Sequence, residues 1–186
     1  RKPATPGKEN LKTVVLQGHI DMVCESNRGV VHDFDNDPIQ PYIDGDWVKA
    51  KGTTLGADNG IGFATALAVL ESKDVEHGPL ECLFTLDEET GLTGASSLKK
   101  GWLKADILIN MDSEELGTIF IGCSGGKNTA AKFKAKLEKT PKNYSSFELK
   151  VAGLKGGHSG LEIHVGRGNA VKIMNRLIYD YSKENT

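Results

Sequence analysis

Three short apolar runs in this chain each stop at side chains that bind cations. Thr13 to Gln17 is rich in β-branched residues and gives way to Gly18-His19-Ile20-Asp21. Leu80 to Leu86 alternates, with Leu80, Cys82, Phe84 and Leu86 apolar, and ends at Asp87-Glu88-Glu89. Ile107-Leu108-Ile109 ends at Asn110-Met111-Asp112. Runs of this kind read as strands, and a continuous apolar run such as the first reads as a strand buried on both faces, as in parallel sheets. In open α/β sheets ligands gather outside the carboxyl ends of the strands. Between the first two runs Asp58-Asn59-Gly60 opens a helix. Ile61, Ala64, Thr65, Ala68 and Val69 recur at helical spacing, and the helix is expected to run to about Lys73.

The rest of the chain reads less sharply. Asp33 to Asp46 is dense in Asp, Asn, Pro and Gly and reads as an irregular loop, followed by a short strand from Trp47 to Lys51. Ala95 to Lys100 reads as a short helix closed by Gly101, and Thr118 to Ile121 as a further strand. Beyond Gly125 the texture changes. Lys127 to Leu137 alternates in a lysine-rich way, as a half-exposed antiparallel strand does, with Phe147 to Ala152 as its partner. Gly166 to Tyr181 reads as an amphipathic helix with Val171, Met174, Leu177, Ile178 and Tyr181 on one face. The expected organisation is an α/β part over residues 1–125 and the beginning of an α+β part over 126–186.

Composition narrows the function classes. The net charge of −2 over 186 residues lacks the basic excess of a general nucleic-acid binder. No apolar run approaches the ~18 residues of a membrane helix. Three cysteines without a CxxC pair argue against a disulfide framework or zinc knuckle and suggest a reducing, cytoplasmic setting. Gly122-Cys-Ser-Gly-Gly126 has neither the GxGxxG nor the P-loop pattern, which disfavours a nucleotide-binding domain.

His and carboxylates are ligands for zinc, manganese and related cations. In His19-Ile20-Asp21, residues two apart on an extended chain face one side, so the Asp21 carboxylate is placed to accept a ring N–H of His19. Asp58 has two oxygens with which to bridge two metals. Of the adjacent pair Glu88 and Glu89, one is suited to ligation and the other to taking a proton from metal-bound water. Asp112 supplies a further oxygen. Each feature alone has an ordinary explanation as a cap, a solvated turn or a loop. Their recurrence at three successive strand ends favours a metal site.

Gly18-His-Ile-Asp-Met-Val23, Gly56-Ala-Asp-Asn-Gly60, Asp87-Glu-Glu-Thr-Gly91 and Asn110-Met-Asp-Ser113 resemble, in order and spacing, the motifs of the dinuclear zinc aminopeptidase and aminoacylase superfamily. His-Asp-Phe-Asp at 32–35, Thr53 to Gly60, Ile121-Gly-Cys-Ser-Gly-Gly126, Gly156-Gly-His-Ser-Gly160 and Gly168-Asn-Ala170 resemble its aminoacyl-histidine dipeptidase branch. The resemblance implies a zinc-peptidase-like mixed sheet with flanking helices in a metal-binding catalytic domain over 1–125, and the start of a smaller α+β lid or dimerisation domain over 126–186.

It also implies roles. His19 and Asp112 hold one zinc, Asp58 bridges, and Glu89 holds the other. Glu88 is the general base, Asp21 orients His19, and His158 stabilises the oxyanion. The peptide after Asp58 is expected to be cis. Two zinc ions are implied, with Mn or Co as substitutes. The substrate class is small peptides of the Xaa-His type, with no nucleic-acid or membrane partner and a homodimer formed through the lid. An N-acyl amino acid deacylase or desuccinylase is the first alternative, and a non-catalytic metal-binding fragment the second. The family's second zinc also takes a histidine far along a longer chain. Here only His32, His77, His158 and His164 remain. His77 reads as an exposed turn residue, and His164 as part of a helix start in preference to a residue that faces the substrate. The chain is therefore expected to be a piece of a longer protein.

Overall fold

A computed structural model describes residues 1–123, 125–127, 129–158 and 162–184. Two compact units emerge, Arg1–Gly125 and Gly126–Thr186. The first carries strands β1 (Val14–His19), β2 (Pro41–Asp44) and β3 (Trp47–Ala50), helix α1 (Ala57–Glu71), strand β4 (Leu80–Thr85), the one-turn helices α2 (Glu88–Gly91) and α3 (Thr93–Ser96), and strand β5 (Ile107–Asn110). The second carries a 3-10 turn (Ile163–Val165) and helix α4 (Ala170–Glu184). The fold is α/β.

β1 is the central strand of a three-stranded sheet of order β4-β1-β5. Both neighbours pair with it in parallel, with His19 opposite Thr85 and Gln17 opposite Asn110. This register brings the three carboxyl ends to one edge, so the residues after each strand emerge together. Lys2 adds an isolated antiparallel bridge to Leu80, which makes the sheet mixed at its margin. The apolar content of β1 follows from its position: Val15 and Leu16 are buried beneath its neighbours, with Leu80 and Ala66.

Helix α1 packs against β1. Its buried face is made of Asn59, Gly62 and Ala66, and Ala66 is 0% exposed. Phe63 meets Phe84 edge to face at 4.7 Å. At the start of α1, Asp58 and Asn59 leave helical geometry, and the Asp58–Asn59 peptide is cis, as the family resemblance implies.

Several expectations are corrected. Residues 41–44 form a strand rather than continuing the loop, paired antiparallel with β3 from Pro41–Ala50 to Asp44–Trp47. The two-residue connection begins with Gly45 at φ 60°, a backbone that the flanking Asp-rich composition hides. The short helix comes earlier, at Thr93–Ser96, directly after α2. α4 starts at Ala170 rather than Gly166, because the Asn169 side chain caps it by accepting the N–H of Lys172 at 2.9 Å. Among the described residues, 118–121, 127–137 and 147–152 form no ladder. A strand needs a neighbour for its N–H and C=O groups, and these segments are almost entirely exposed. His77 is buried rather than exposed. Its main-chain N–H and carbonyl both pair with Thr5.

Glu81, 4% exposed on β4, closes the other end of the sheet. Its carboxylate accepts the N–H groups of Lys104 (2.7 Å) and Ala105 (3.1 Å) and pairs with Arg1 at 2.6 Å. Burial works against the charge, but the two N–H donors and the Arg1 guanidinium together hold the carboxyl below its ordinary pKa. A depressed folded-state pKa contributes stability above the unfolded value, about 4.3, and that stability is lost as pH falls through the folded value. Glu81→Ala also leaves two donors without their acceptor, at a cost of about 1–3 kcal/mol near neutrality. Thermal melts of the two proteins are expected to differ most at about pH 6–7, and the gap is expected to begin closing below about pH 4.3 and to narrow further as pH falls through the folded value. A gap that stays constant across that range would refute the linkage.

Candidate metal centre

The carboxyl edge of the sheet brings together His19, Asp21, Asp58, Glu88, Glu89 and Asp112, all within the first unit. His19 ends β1 and is 1% exposed. Asp21 follows it, Glu88 and Glu89 open α2 beyond β4, and Asp112 lies two residues beyond β5. Asp58 enters from the start of α1, and its side chain is 51% exposed. Donor atoms of His19, Asp58 and Glu89 lie within 4.8 Å of one another, and so do those of His19, Glu88 and Asp112. His19 belongs to both groups.

The imidazole is held at both nitrogens. Nδ1 lies 2.9 Å from the main-chain carbonyl of Asp21 and donates to it, while the Asp21 carboxylate stands 3.5 Å away. The orienting acceptor is thus the carbonyl rather than the expected carboxylate, because β1 ends at His19 and Asp21 has left the extended strand. The carboxylate instead accepts the N–H of Glu89 at 3.1 Å, which ties the start of α2 to the end of β1. Nε2 faces Asp58 Oδ1 at 2.9 Å and Asp112 Oδ1 at 3.4 Å. With the Nδ1 proton committed to a carbonyl, those contacts call for a proton on Nε2 or a neighbouring cation.

The electrostatics point the same way. Burial opposes the charged imidazole, but the hydrogen bond to Asp58, the Asp112 charge and the Asp21 carbonyl raise its pKa. Burial, then the charges of Asp112, Asp58 and Asp21, raises Glu88. Burial, then Asp58, Glu88 and Asp21, raises Glu89. Asp21 is lowered: burial opposes its charge, and the main-chain N–H groups of Glu88 and Glu89 outweigh it. Among the described residues no Lys or Arg forms an ion pair with any of these five carboxylates. Asp21 Oδ1 is buried without a hydrogen-bond partner. One imidazole and an excess of carboxylate oxygens, crowded and unbalanced, is a donor set that fits divalent cations.

Three residues of this edge escape a reading of the sequence. Asn59, 4% exposed, donates to Asp112 Oδ1 at 2.5 Å and to the Met111 carbonyl at 3.0 Å. Asn110 accepts the N–H of Asp112 at 3.0 Å, and Gln17 accepts from Asn110 at 2.5 Å. The available signal was a polar residue next to a ligand-type residue or inside an apolar run. The sharp turn into α2 is made by Asp87 at φ 63°, whose carboxylate accepts the hydroxyls of Thr90 and Thr93.

His158 stands in the second unit, where its N–H donates to Glu162 at 2.8 Å. Arg167 pairs with the same Glu162 and donates to the Gly156 carbonyl. Ser159 and Gly160 of the Gly156–Gly160 motif, and Ser124 of the 121–126 motif, lie outside the described residues.

Comparison with known proteins gives consistent relatives. The chain is 58% identical over 184 residues to the cytosol non-specific dipeptidase of Escherichia coli, a match that covers 99% of the chain and 38% of that protein. A peptidase T of Caldanaerobacter subterraneus is 31% identical over 105 residues, covering 53% of the chain and 25% of that protein. The crystal structure of an aminoacylhistidine dipeptidase from Vibrio alginolyticus superposes with a TM-score of 0.65 at 51% identity, covering 98% of the chain and 37% of that structure. The chain thus spans well under half the length of these relatives. The family model described as peptidase family M20/M25/M40 matches residues 15–180, through both units. The chain belongs to peptidase family M20/M25/M40.

Proposed function

We propose that this chain carries most of the metal-binding half of a metal-dependent dipeptidase that hydrolyses Xaa-His dipeptides. The observation that carries the reading is the convergence of two overlapping ligand groups on His19, with Glu88 among them. The relatives named for dipeptidase and aminoacylhistidine dipeptidase activity support the substrate class. In this reading residues 1–125 are the catalytic domain, and residues 126–186 open a lid through which two copies pair. The name of the Escherichia coli relative supports a cytosolic setting.

His19, Asp58 and Asp112 would hold one ion, and Asp58 and Glu89 the other, with zinc the expected metal and manganese or cobalt as substitutes. Bound there, the ions supply Lewis acidity toward the peptide carbonyl and lower the pKa of water. The chain's own groups do the rest. The Asp21 carbonyl fixes the His19 ring. Glu88 takes the proton of the attacking water and returns it to the leaving amine. The His158 side chain is assigned to the carbonyl oxygen as negative charge develops on it.

Turnover by the metal-loaded full-length protein tests this. Xaa-His dipeptides such as β-alanyl-histidine are expected to be cleaved in preference to N-acetyl and N-succinyl amino acids. The reverse preference would move the protein to the deacylases. No turnover of either class with metal bound would leave a binding role only.

A further inference from the structure

Asn59 is a costly residue to bury. Its amide oxygen is buried with no hydrogen-bond partner, and it presses on two glycines. A Cβ at Gly18 would stand 2.7 Å from that oxygen, and one at Gly62 would overlap it outright and lie 3.0 Å from the Met111 carbonyl. Both backbones approach so closely that only glycine fits. The orientation of the amide is fixed by its other side. Nδ2 faces the Met111 carbonyl and the Asp112 carboxylate, two acceptors that take its two protons. Turned over, the amide would set three oxygens against one another without a proton between them. An unsatisfied buried oxygen costs free energy, so the side chain is retained for its donors.

Those donors act on one candidate ligand. Asp112 has two oxygens, and the one bonded to Asn59 is also the one nearest His19, at 3.4 Å. The Asp112 main chain is fixed separately, through its N–H to Asn110. Asn59 therefore sets the angle of the carboxylate, and Asn110 the path of the chain that bears it. Groups that orient metal ligands in this way tune affinity without touching the ion.

We propose that Asn59 is a positioning residue for Asp112, holding its carboxylate against His19 and so setting the affinity of one metal position and not the other. The inference rests on the proposed dinuclear centre.

The test is a titration of the metal-free full-length protein with zinc against a competing chelator. Asn59→Leu keeps the branched shape of the side chain and removes both donors. It is expected to bind one ion as the wild type does and the other roughly 10–100-fold more weakly, with an unchanged circular dichroism spectrum. Asn59→Ala, which vacates the space instead of filling it, is expected to show the same selective loss. Wild-type affinity for both ions in these variants would overturn the proposal. So would equal weakening of both ions with a lower melting temperature of the metal-free protein, or failure of both variants to fold, because each assigns Asn59 to packing alone. A wild type that takes no zinc would instead remove the metal centre itself.

Discussion

Replacing Glu88 with Gln is expected to lower kcat for Xaa-His hydrolysis by about 10²–10⁴-fold or more while leaving the metal content unchanged. The amide keeps the size of the carboxylate and removes its capacity to take a proton. Burial and the charges of Asp112, Asp58 and Asp21 raise the pKa of Glu88, which suits a group that must both accept and return a proton. Geometry alone leaves Glu88 and Glu89 equivalent, because each offers an oxygen within 4.8 Å of a His19 nitrogen and of one further carboxylate. The paired variant Glu89→Gln separates them. It is expected to lose metal as well as turnover, which elemental analysis of the purified proteins would read directly. A Glu88→Gln protein depleted in metal, beside a Glu89→Gln protein that retains it, would exchange the two roles. Normal turnover by Glu88→Gln would sink the assignment of a base.

Stripping the metal from the full-length protein is expected to abolish turnover and lower its melting temperature together. Asp21, Asp58, Glu88, Glu89 and Asp112 share one edge of the sheet, and among the described residues none of them has a Lys or Arg ion pair. Without a cation their mutual repulsion acts across a partly buried pocket, where it is screened less than at the surface. A ligand bound only by the folded state stabilises it by about 4 kcal/mol at a thousandfold excess over its dissociation constant. The fall on chelation is expected to be larger at low ionic strength than in high salt, because salt screens the exposed Asp58 more than it weakens ligation. Scanning calorimetry with and without chelator at two salt concentrations reads both effects. An unchanged melting temperature with lost activity would mean that the metal is needed for chemistry and does not hold the edge together. Unchanged activity would end the metal-dependent reading.

What the sequence discloses here follows from burial. β1, β4 and α1 were legible because Val15, Leu16, Leu80 and Ala66 are buried among them, which imprints apolar runs or helical spacing, whereas β5, exposed over all four residues, was legible only as the unbroken run Ile107-Leu108-Ile109. The ligand-type residues were legible because they interrupt those runs at the one place where a parallel sheet gathers function. β2 was hidden because its four residues are all exposed and flanked by turn formers. The segments 127–137 and 147–152 have the alternation of strands, but alternation does not supply a ladder partner. His77 looked exposed because Glu-His-Gly-Pro is a turn sequence, and its cover is Thr5, a residue far away in sequence. Asn59 was missed for a similar reason: its work is done on Asp112, across the gap between α1 and β5.

The strand order carries one further consequence, for the nascent chain. The central strand is made first and its two partners later, one on each side. Synthesis has delivered His19, Asp58 and Glu89 once residue 89 has emerged, and pairing of β1 with β4 together with packing of α1 on β1 brings that group together. The group with Glu88 and Asp112 waits for residue 112 and for β5 to dock on the opposite side. The two groups thus become available in succession around a shared histidine, the first without β5 and the second only with it.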